Sequence, residues 1–128
     1  MPRNKGKLLG IGIDLIAISR ARDFLSSHRD FIYQRFLSRQ EAQRLGCARK
    51  LTPSLFSRMF SAKEAYFKSL NEKWLGLGGF RSIEVRFLPG DRFRVKSNLW
   101  PICRRSVAEG AFFYASGLVG AQVCLWRS

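Results

Sequence analysis

The sequence predicts an α+β fold, a small antiparallel sheet with helices packed on it. Three features carry that prediction. Ile83, Val85 and Phe87 alternate with Glu84 and Arg86, Phe93 and Val95 alternate with Arg92, Arg94 and Lys96, and Pro89-Gly90-Asp91 turns the chain between the two runs. Two helix-start signatures stand upstream, at Ser38 and at Thr52-Pro53. The stretch from Ala111 to Trp126 is rich in Phe, Val and Ala and reads as one or two buried strands.

Taken in order, residues 1–7 are basic and hold Pro2 and Gly6, which suggests a loose tail. Leu8 to Ile18 is short, apolar and Ile-rich, and reads as a mostly buried strand. Ser19 is placed to cap a helix through about Ser27. Ser38 with Glu41 three residues on is a capping-box pattern, and Ala42, Leu45 and Ala48 continue it at helical spacing. Proline's fixed φ suits the first helical position, so Thr52-Pro53 opens a longer helix with an apolar stripe of Phe56, Phe60, Phe67 and Leu70. Asn71 to Gly79 contains three glycines and reads as a loop, and a short helix is expected at Pro101. With 128 residues and no convincing linker, the chain is expected to form a single domain over 1–128.

Composition narrows the function classes. A formal charge of +14 favours polyanionic or acidic partners, although the basic residues are spread through every segment. Cys47, Cys103 and Cys124 are odd in number and lack C-x-x-C spacing, which argues against a disulfide framework and a zinc site and points to a reducing, cytoplasmic compartment. His28, the only histidine, lies in a polar run and reads as a surface residue. The basic start followed by Leu8 to Ile18 mimics a secretion signal, but Asp14 interrupts the apolar run and no clear cleavage site follows. No apolar run is long enough to suggest a membrane-spanning helix.

Two carboxylates interrupt apolar stretches, Asp14 in the first strand and Glu64 on the long helix. Buried ionised groups need partners or a metal. Glu64 and Lys68 are spaced i,i+4, which places their Cβ atoms about 5 to 6 Å apart, and Lys63 is read as flanking the same face. Such a face can hold a divalent cation while meeting phosphates; by itself the spacing equally describes a routine helical ion pair.

The surrounding residues resolve that ambiguity. Gly10-Ile11-Gly12-Ile13-Asp14-Leu15-Ile16, then Arg20, resembles the opening G-I-G-x-D-[IL]-[IV] segment of holo-(acyl carrier protein) synthases, the short single-lobed group of 4′-phosphopantetheinyl transferases. Phe60-Ser61-Ala62-Lys63-Glu64-Ala65 followed by Lys68 is similar to that family's F-[AS]-x-K-E-A-x-x-K helix. Arg35-Phe36-Leu37-Ser38 through Glu41 resembles its R-x-L-[ST]-x-x-E element, and Phe80-Arg81-Ser82-Ile83-Glu84-Val85 its [WF]-x-[DS]-I-E-V strand. The four segments occur in family order over roughly residues 9 to 88.

The resemblance implies an enzyme that moves the phosphopantetheine arm from coenzyme A to a serine of an acidic acyl carrier protein. It implies Mg²⁺ held by Asp14 and Glu64, with Glu64 as the candidate base and Lys68 stabilising the leaving 3′,5′-ADP. Lys63, Lys68 and Arg58 are the implied coenzyme A contacts, and Arg20, Arg22 and Arg35 the implied carrier contacts. A homotrimer with sites between protomers is also implied, with no nucleic acid and no membrane among the partners. The chain departs from the pattern in four places. Met59 stands where the family carries an arginine, with Arg58 one residue earlier; a G-T-G after the lysine helix is missing; Ala17 replaces an acidic residue; and Tyr114-Ala115-Ser116-Gly117 stands where the family shows S-x-S-H. Two alternatives follow: a member that keeps the fold and coenzyme A binding with impaired transfer, and a basic nucleic-acid-binding domain, which explains the charge but not Asp14 and Glu64.

Overall fold

The structure, a computed structural model, describes residues 6–70, 77–97 and 106–127. The expected helix at Pro101 and most of the expected 71–79 loop lie outside the described residues. Strand β1 (Leu8–Ala17) leads directly into helix α1 (Ile18–Arg35), followed by α2 (Arg39–Leu45), a 3₁₀ turn (Ala48–Lys50) and α3 (Pro53–Ser69). A short helix α4 (Leu77–Arg81) precedes strands β2 (Ile83–Leu88), β3 (Arg92–Ser97), β4 (Ser106–Ala115) and β5 (Leu118–Arg127). All neighbouring strand pairs are antiparallel and the sheet order is β1-β5-β4-β3-β2, which gives the expected α+β class.

Local signals hold where the chemistry is local. The Ser38 hydroxyl accepts from Glu41 N at 3.1 Å while Ser38 N donates to Glu41 Oε1 at 2.8 Å, a complete capping box. Thr52 Oγ1 accepts from Leu55 N at 3.1 Å, with Pro53 in the first turn of α3. The Pro89-Gly90-Asp91 turn sits between β2 and β3, with positive φ at Gly90 (76°) and Asp91 (55°), the latter a residue type that tolerates this region. The closing apolar stretch is two strands, β4 and β5, joined through Ser116-Gly117.

Three expectations are corrected. Ser19 is not the cap of α1: the helix starts at Ile18 after Ala17, with no side-chain cap. It does not stop near Ser27 either, because Ala21, Leu25 and Ile32 form one buried stripe that carries it to Arg35 through a kink at His28 (φ −136°, ψ 30°). Leu77–Arg81, including Gly78 and Gly79, is helical, so the loop reading was too long at its end. Residues 1–5 of the expected tail lie outside the described residues, and the Lys7 carbonyl accepts from Arg127 N at 2.8 Å. His28 is exposed, as expected, and stacks on Phe24 with ring centroids 4.6 Å apart.

The core lies between α3 and the sheet, closed at one end by α1 and α4. Phe36, Phe56, Phe60, Phe67 and Phe80 form a connected ring cluster with centroids 4.9 to 6.0 Å apart, and Phe93 meets Phe112 at 4.6 Å on the sheet. Aromatic packing of this kind stabilises beyond the apolar area it buries. On β2, Glu84 is buried and accepts from Arg44 (2.6 Å) and Arg86 (3.1 Å). Desolvation pushes its carboxyl upward, but the two guanidinium hydrogen bonds and charges overcome this and hold it below the ordinary 4.5. A depressed folded-state pKa adds stability that is present above the unfolded value and lost as pH falls below it. Because both arginines are half-exposed, screening limits the effect to about 0.5–1 kcal/mol. Glu84→Gln should therefore lower stability by that amount at pH 7 and by almost nothing near pH 3, read by urea unfolding at the two pH values.

Candidate active site

Side chains alternate across β1, so Gly10, Gly12 and Asp14 share the face toward α3 while Ile11, Ile13 and Leu15 share the other. The two glycines are required by distance. A Cβ on Gly12 would lie 1.8 Å from the Ala65 carbonyl oxygen, and one on Gly10 would lie 1.9 Å from that of Ser69. Helix backbone therefore rests directly on strand backbone, and Asp14, next in the row, is brought to the residues of α3 that follow from this docking.

Lys68 Nζ reaches across to Asp14 Oδ1 at 2.9 Å and to the Ile13 carbonyl at 3.2 Å. Asp14 is only 13% exposed at its side chain, and its Oδ2 is buried without a hydrogen-bond partner among the described residues. Glu64, one turn before Lys68, is part-buried. Burial pushes its carboxyl above the ordinary 4.5, the Asp14 charge pushes in the same direction, and Lys68 pulls back. Asp14, Glu64 and Lys68 thus form one electrostatic group at the edge strand: two oxygen donors, one with an unused buried lone pair, beside one ammonium.

The other expected contacts are placed elsewhere. Lys63 does not flank this face; it is fully buried, about 100° round α3 from Glu64. Its Nζ donates to Glu41 Oε1 (2.7 Å), Phe36 O (2.9 Å) and Phe80 O (3.0 Å) and lies 4.5 Å from the Phe36 ring centroid. Burial pulls its pKa down and Glu41 opposes this. All three donor positions are taken within the core, so the structure does not bring Lys63 to the Asp14, Glu64 and Lys68 group as expected. Arg58 is also apart from the group within this chain. Its guanidinium lies 5.2 Å from the centroid of Phe87 on β2, the sheet edge opposite β1. Arg58 Nε is buried without a hydrogen-bond partner among the described residues, and the side chain neighbours Tyr114, whose hydroxyl donates to Asp91 Oδ1 at 3.1 Å. Nothing in the sequence signalled that cluster.

Arg20, Arg22 and Arg35 are all exposed on α1. Arg20 and Arg22 lie in its first turns beside the end of β1, with Arg22 Nε 3.4 Å from Asp23 Oδ1. Arg35 is in the last turn, roughly 20 Å further along the helix axis. Exposed Phe24 and Phe31 lie between them. Gly117, which stands where a family histidine was expected, is a corner residue with φ 70° whose carbonyl accepts from Ile18 N. Among the described residues no cluster of three or more His, Cys, Asp or Glu could hold a metal, so any ion here rests on the two carboxylates and on ligand oxygens. No helix among the described residues is long and apolar enough to cross a membrane.

Comparison with known proteins gives a consistent picture. Residues 10–116 match the family described as the 4′-phosphopantetheinyl transferase superfamily. A holo-[acyl-carrier-protein] synthase of Clostridium kluyveri is 35% identical over 78 residues, 61% of this chain and 56% of that protein. One of Bordetella pertussis is 30% identical over 100 residues, 71% of this chain and 62% of that protein, so the matches span less than two thirds of either relative's length. Among solved structures, a holo-ACP synthase of Plasmodium yoelii superposes with TM-score 0.75 at 20% identity, covering 95% of this chain and 97% of that one. A Bacillus anthracis holo-(acyl-carrier-protein) synthase in complex with CoA (3′,5′-ADP) gives 0.72 at 24%, covering 94% and 98%. At these identities the structural likeness is one of fold.

Proposed function

The chain belongs to the 4′-phosphopantetheinyl transferase superfamily, and from that premise we propose that it transfers the phosphopantetheine arm of coenzyme A to a serine hydroxyl of an acidic acyl carrier protein. The observation that carries this reading is the convergence of Asp14, Glu64 and Lys68 on one edge of the α3–β1 contact. Two nearby carboxylates that lack a full set of partners suit a hard cation, and Mg²⁺ is commonly held by one or two carboxylates with phosphate oxygens and water. Asp14 Oδ2, buried and unpaired, is the donor that such an ion would satisfy. Bound there, Mg²⁺ supplies charge neutralisation for a pyrophosphate undergoing substitution.

The chain's own residues account for the remaining steps. Glu64 accepts the serine proton as the serine oxygen bonds to the β-phosphorus of coenzyme A; the bond from that phosphorus to the bridging oxygen breaks, and 3′,5′-ADP departs with the electron pair. Lys68 holds Asp14 in place and presents positive charge to the leaving phosphate. Arg20 with Phe24 and Phe31 with Arg35 are i,i+4 neighbours on α1 and give it a basic and apolar face suited to an acidic amphipathic partner, whereas Arg22 projects from another side beside Asp23. The direct test is incubation with coenzyme A, Mg²⁺ and an apo carrier protein, followed by intact-protein mass measurement. One added phosphopantetheine per carrier is expected; no gain across several carrier proteins overturns the reading. Coenzyme A binding without product would instead mark the impaired member, consistent with a side-chain-free Gly117.

The sheet face away from α3 supports assembly into a homotrimer. Leu9, Ile11, Ile13 and Leu15 of β1 are 37%, 51%, 51% and 55% exposed, and Phe113 of β4 is 40% exposed on the same face. A row of this size on one face marks a protein contact. Ile13→Asp should convert the trimer to monomers in size-exclusion chromatography with light scattering while leaving the circular dichroism spectrum unchanged.

A further inference from the structure

We infer that the buried Lys63–Glu41 pair is a positioning device: it fixes the roll of α3 and thereby the place of Glu64 and Lys68 relative to Asp14. The inference rests on the metal-site reading above.

The pair gathers five elements. Lys63 Nζ on α3 binds the Phe36 carbonyl at the end of α1 and the Phe80 carbonyl on α4. Glu41 Oε1 on α2 accepts from Lys63 and from Ser38 N, and Glu41 Oε2 accepts from Val85 N on β2 at 2.7 Å. The exposures of the two side chains are 0% and 2%. Buried charges survive only when every donor and acceptor is matched, so the geometry tolerates little displacement.

Lys63 and Glu64 are consecutive, about 100° apart on the helix. Anchoring one of them in the core therefore sets the direction of the other. A roll of about 20° would move a carboxylate lying 5 to 6 Å from the helix axis by roughly 2 Å. Misplacements of about 1 Å suffice to cost two orders of magnitude at a reacting centre. The glycine contacts set how near α3 lies to β1; they constrain its roll less, because Gly10 and Gly12 project no side chain into the helix.

The test uses Glu41→Gln/Lys63→Met, which removes both charges with little change of volume; the Phe36 and Phe80 carbonyls lose their donor, so a lowered Tm with an unchanged circular dichroism spectrum is expected. Mn²⁺ serves as the probe, titrated by electron paramagnetic resonance with coenzyme A present, because carboxylate sites that suit Mg²⁺ also suit Mn²⁺. The expected result is Mn²⁺ affinity weakened about tenfold or more, in the range typical of disturbed supporting residues, with metal-free coenzyme A affinity unchanged. Native Mn²⁺ affinity in the folded double variant overturns the inference and leaves the pair as stability alone. Unchanged Mn²⁺ affinity with weakened coenzyme A binding also overturns it and restores Lys63 as a phosphate contact. If the double variant does not fold, Glu41→Asp, which keeps both charges and shortens the tether by one methylene, should show a smaller loss in the same direction, and native affinity there overturns the inference. Failure of the wild-type protein to bind Mn²⁺, or binding untouched by Asp14→Asn, sinks the metal-site reading itself, an outcome separable from failure of the positioning role.

Discussion

Glu64→Gln is expected to reduce transfer by at least about 10³-fold while leaving the fold intact. A positioned general base contributes roughly 10² to 10⁴, and the same substitution removes one of two oxygen donors from the cation site. Stability should not fall with activity. Burial and the Asp14 charge both disfavour ionised Glu64 in the folded chain, so a neutral amide of equal size relieves a cost. The sign of the linkage follows: a carboxyl raised in the folded state lowers stability as pH climbs through its unfolded and then its folded pKa, and Gln removes that loss. The diagnostic is therefore a split result, with Tm equal to or above wild type at pH 7 and transfer lost in the mass assay. Unchanged turnover would show that the base lies elsewhere; equal loss of both would show that Glu64 is a structural residue.

The elements legible in the sequence are those whose causes lie within a few residues. The capping box at Ser38, the Thr52-Pro53 start and the Pro89-Gly90-Asp91 turn each depend on side chains that satisfy neighbouring backbone groups. Asp14 and Glu64 were legible for another reason: a charge inside an apolar run needs a partner. Ser19 misled because its chemistry suits a cap, while the buried stripe Ala21, Leu25 and Ile32 decided where α1 starts and ends. That stripe crosses a polar stretch which, read alone, suggests a stop.

Lys63 shows why the site was only half legible. Adjacent to Glu64 in sequence, it shares the basic character of Lys68, and nothing local separates a lysine aimed at phosphate from one aimed at the core. Its partner Glu41 is 22 residues away, already occupied in the capping box, and meets Lys63 only when α2 and α3 pack. Arg58 follows the same logic, since its place depends on Phe87 and Tyr114 reaching α3 from distant strands. Of the residues the family resemblance singles out, Asp14, Glu64 and Lys68 lie together at the edge of the sheet, and within this chain Lys63 and Arg58 lie apart from them.

Among the described glycines whose surroundings are given, Gly12→Ala should be the most damaging change. The added Cβ would lie 1.8 Å from the Ala65 carbonyl oxygen and 2.7 Å from Ser69 N, both backbone atoms that cannot swing aside. Relief requires α3 to lift from β1 by well over 1 Å along its whole docked length. Overpacking of this kind costs about 1–3 kcal/mol, and more where backbone must yield. The same lift carries Glu64 and Lys68 away from Asp14, so transfer should fall by about 10²-fold or more even in the fraction that remains folded. Ser26→Ala, at an exposed α1 site away from both the helix–strand contact and the outer sheet face, serves as the control. Urea unfolding together with kcat/KM for the carrier distinguishes the cases. If Gly12→Ala retains both stability and transfer, the helix does not rest on the strand in the way that brings the two acids together, and the shared site has no structural basis.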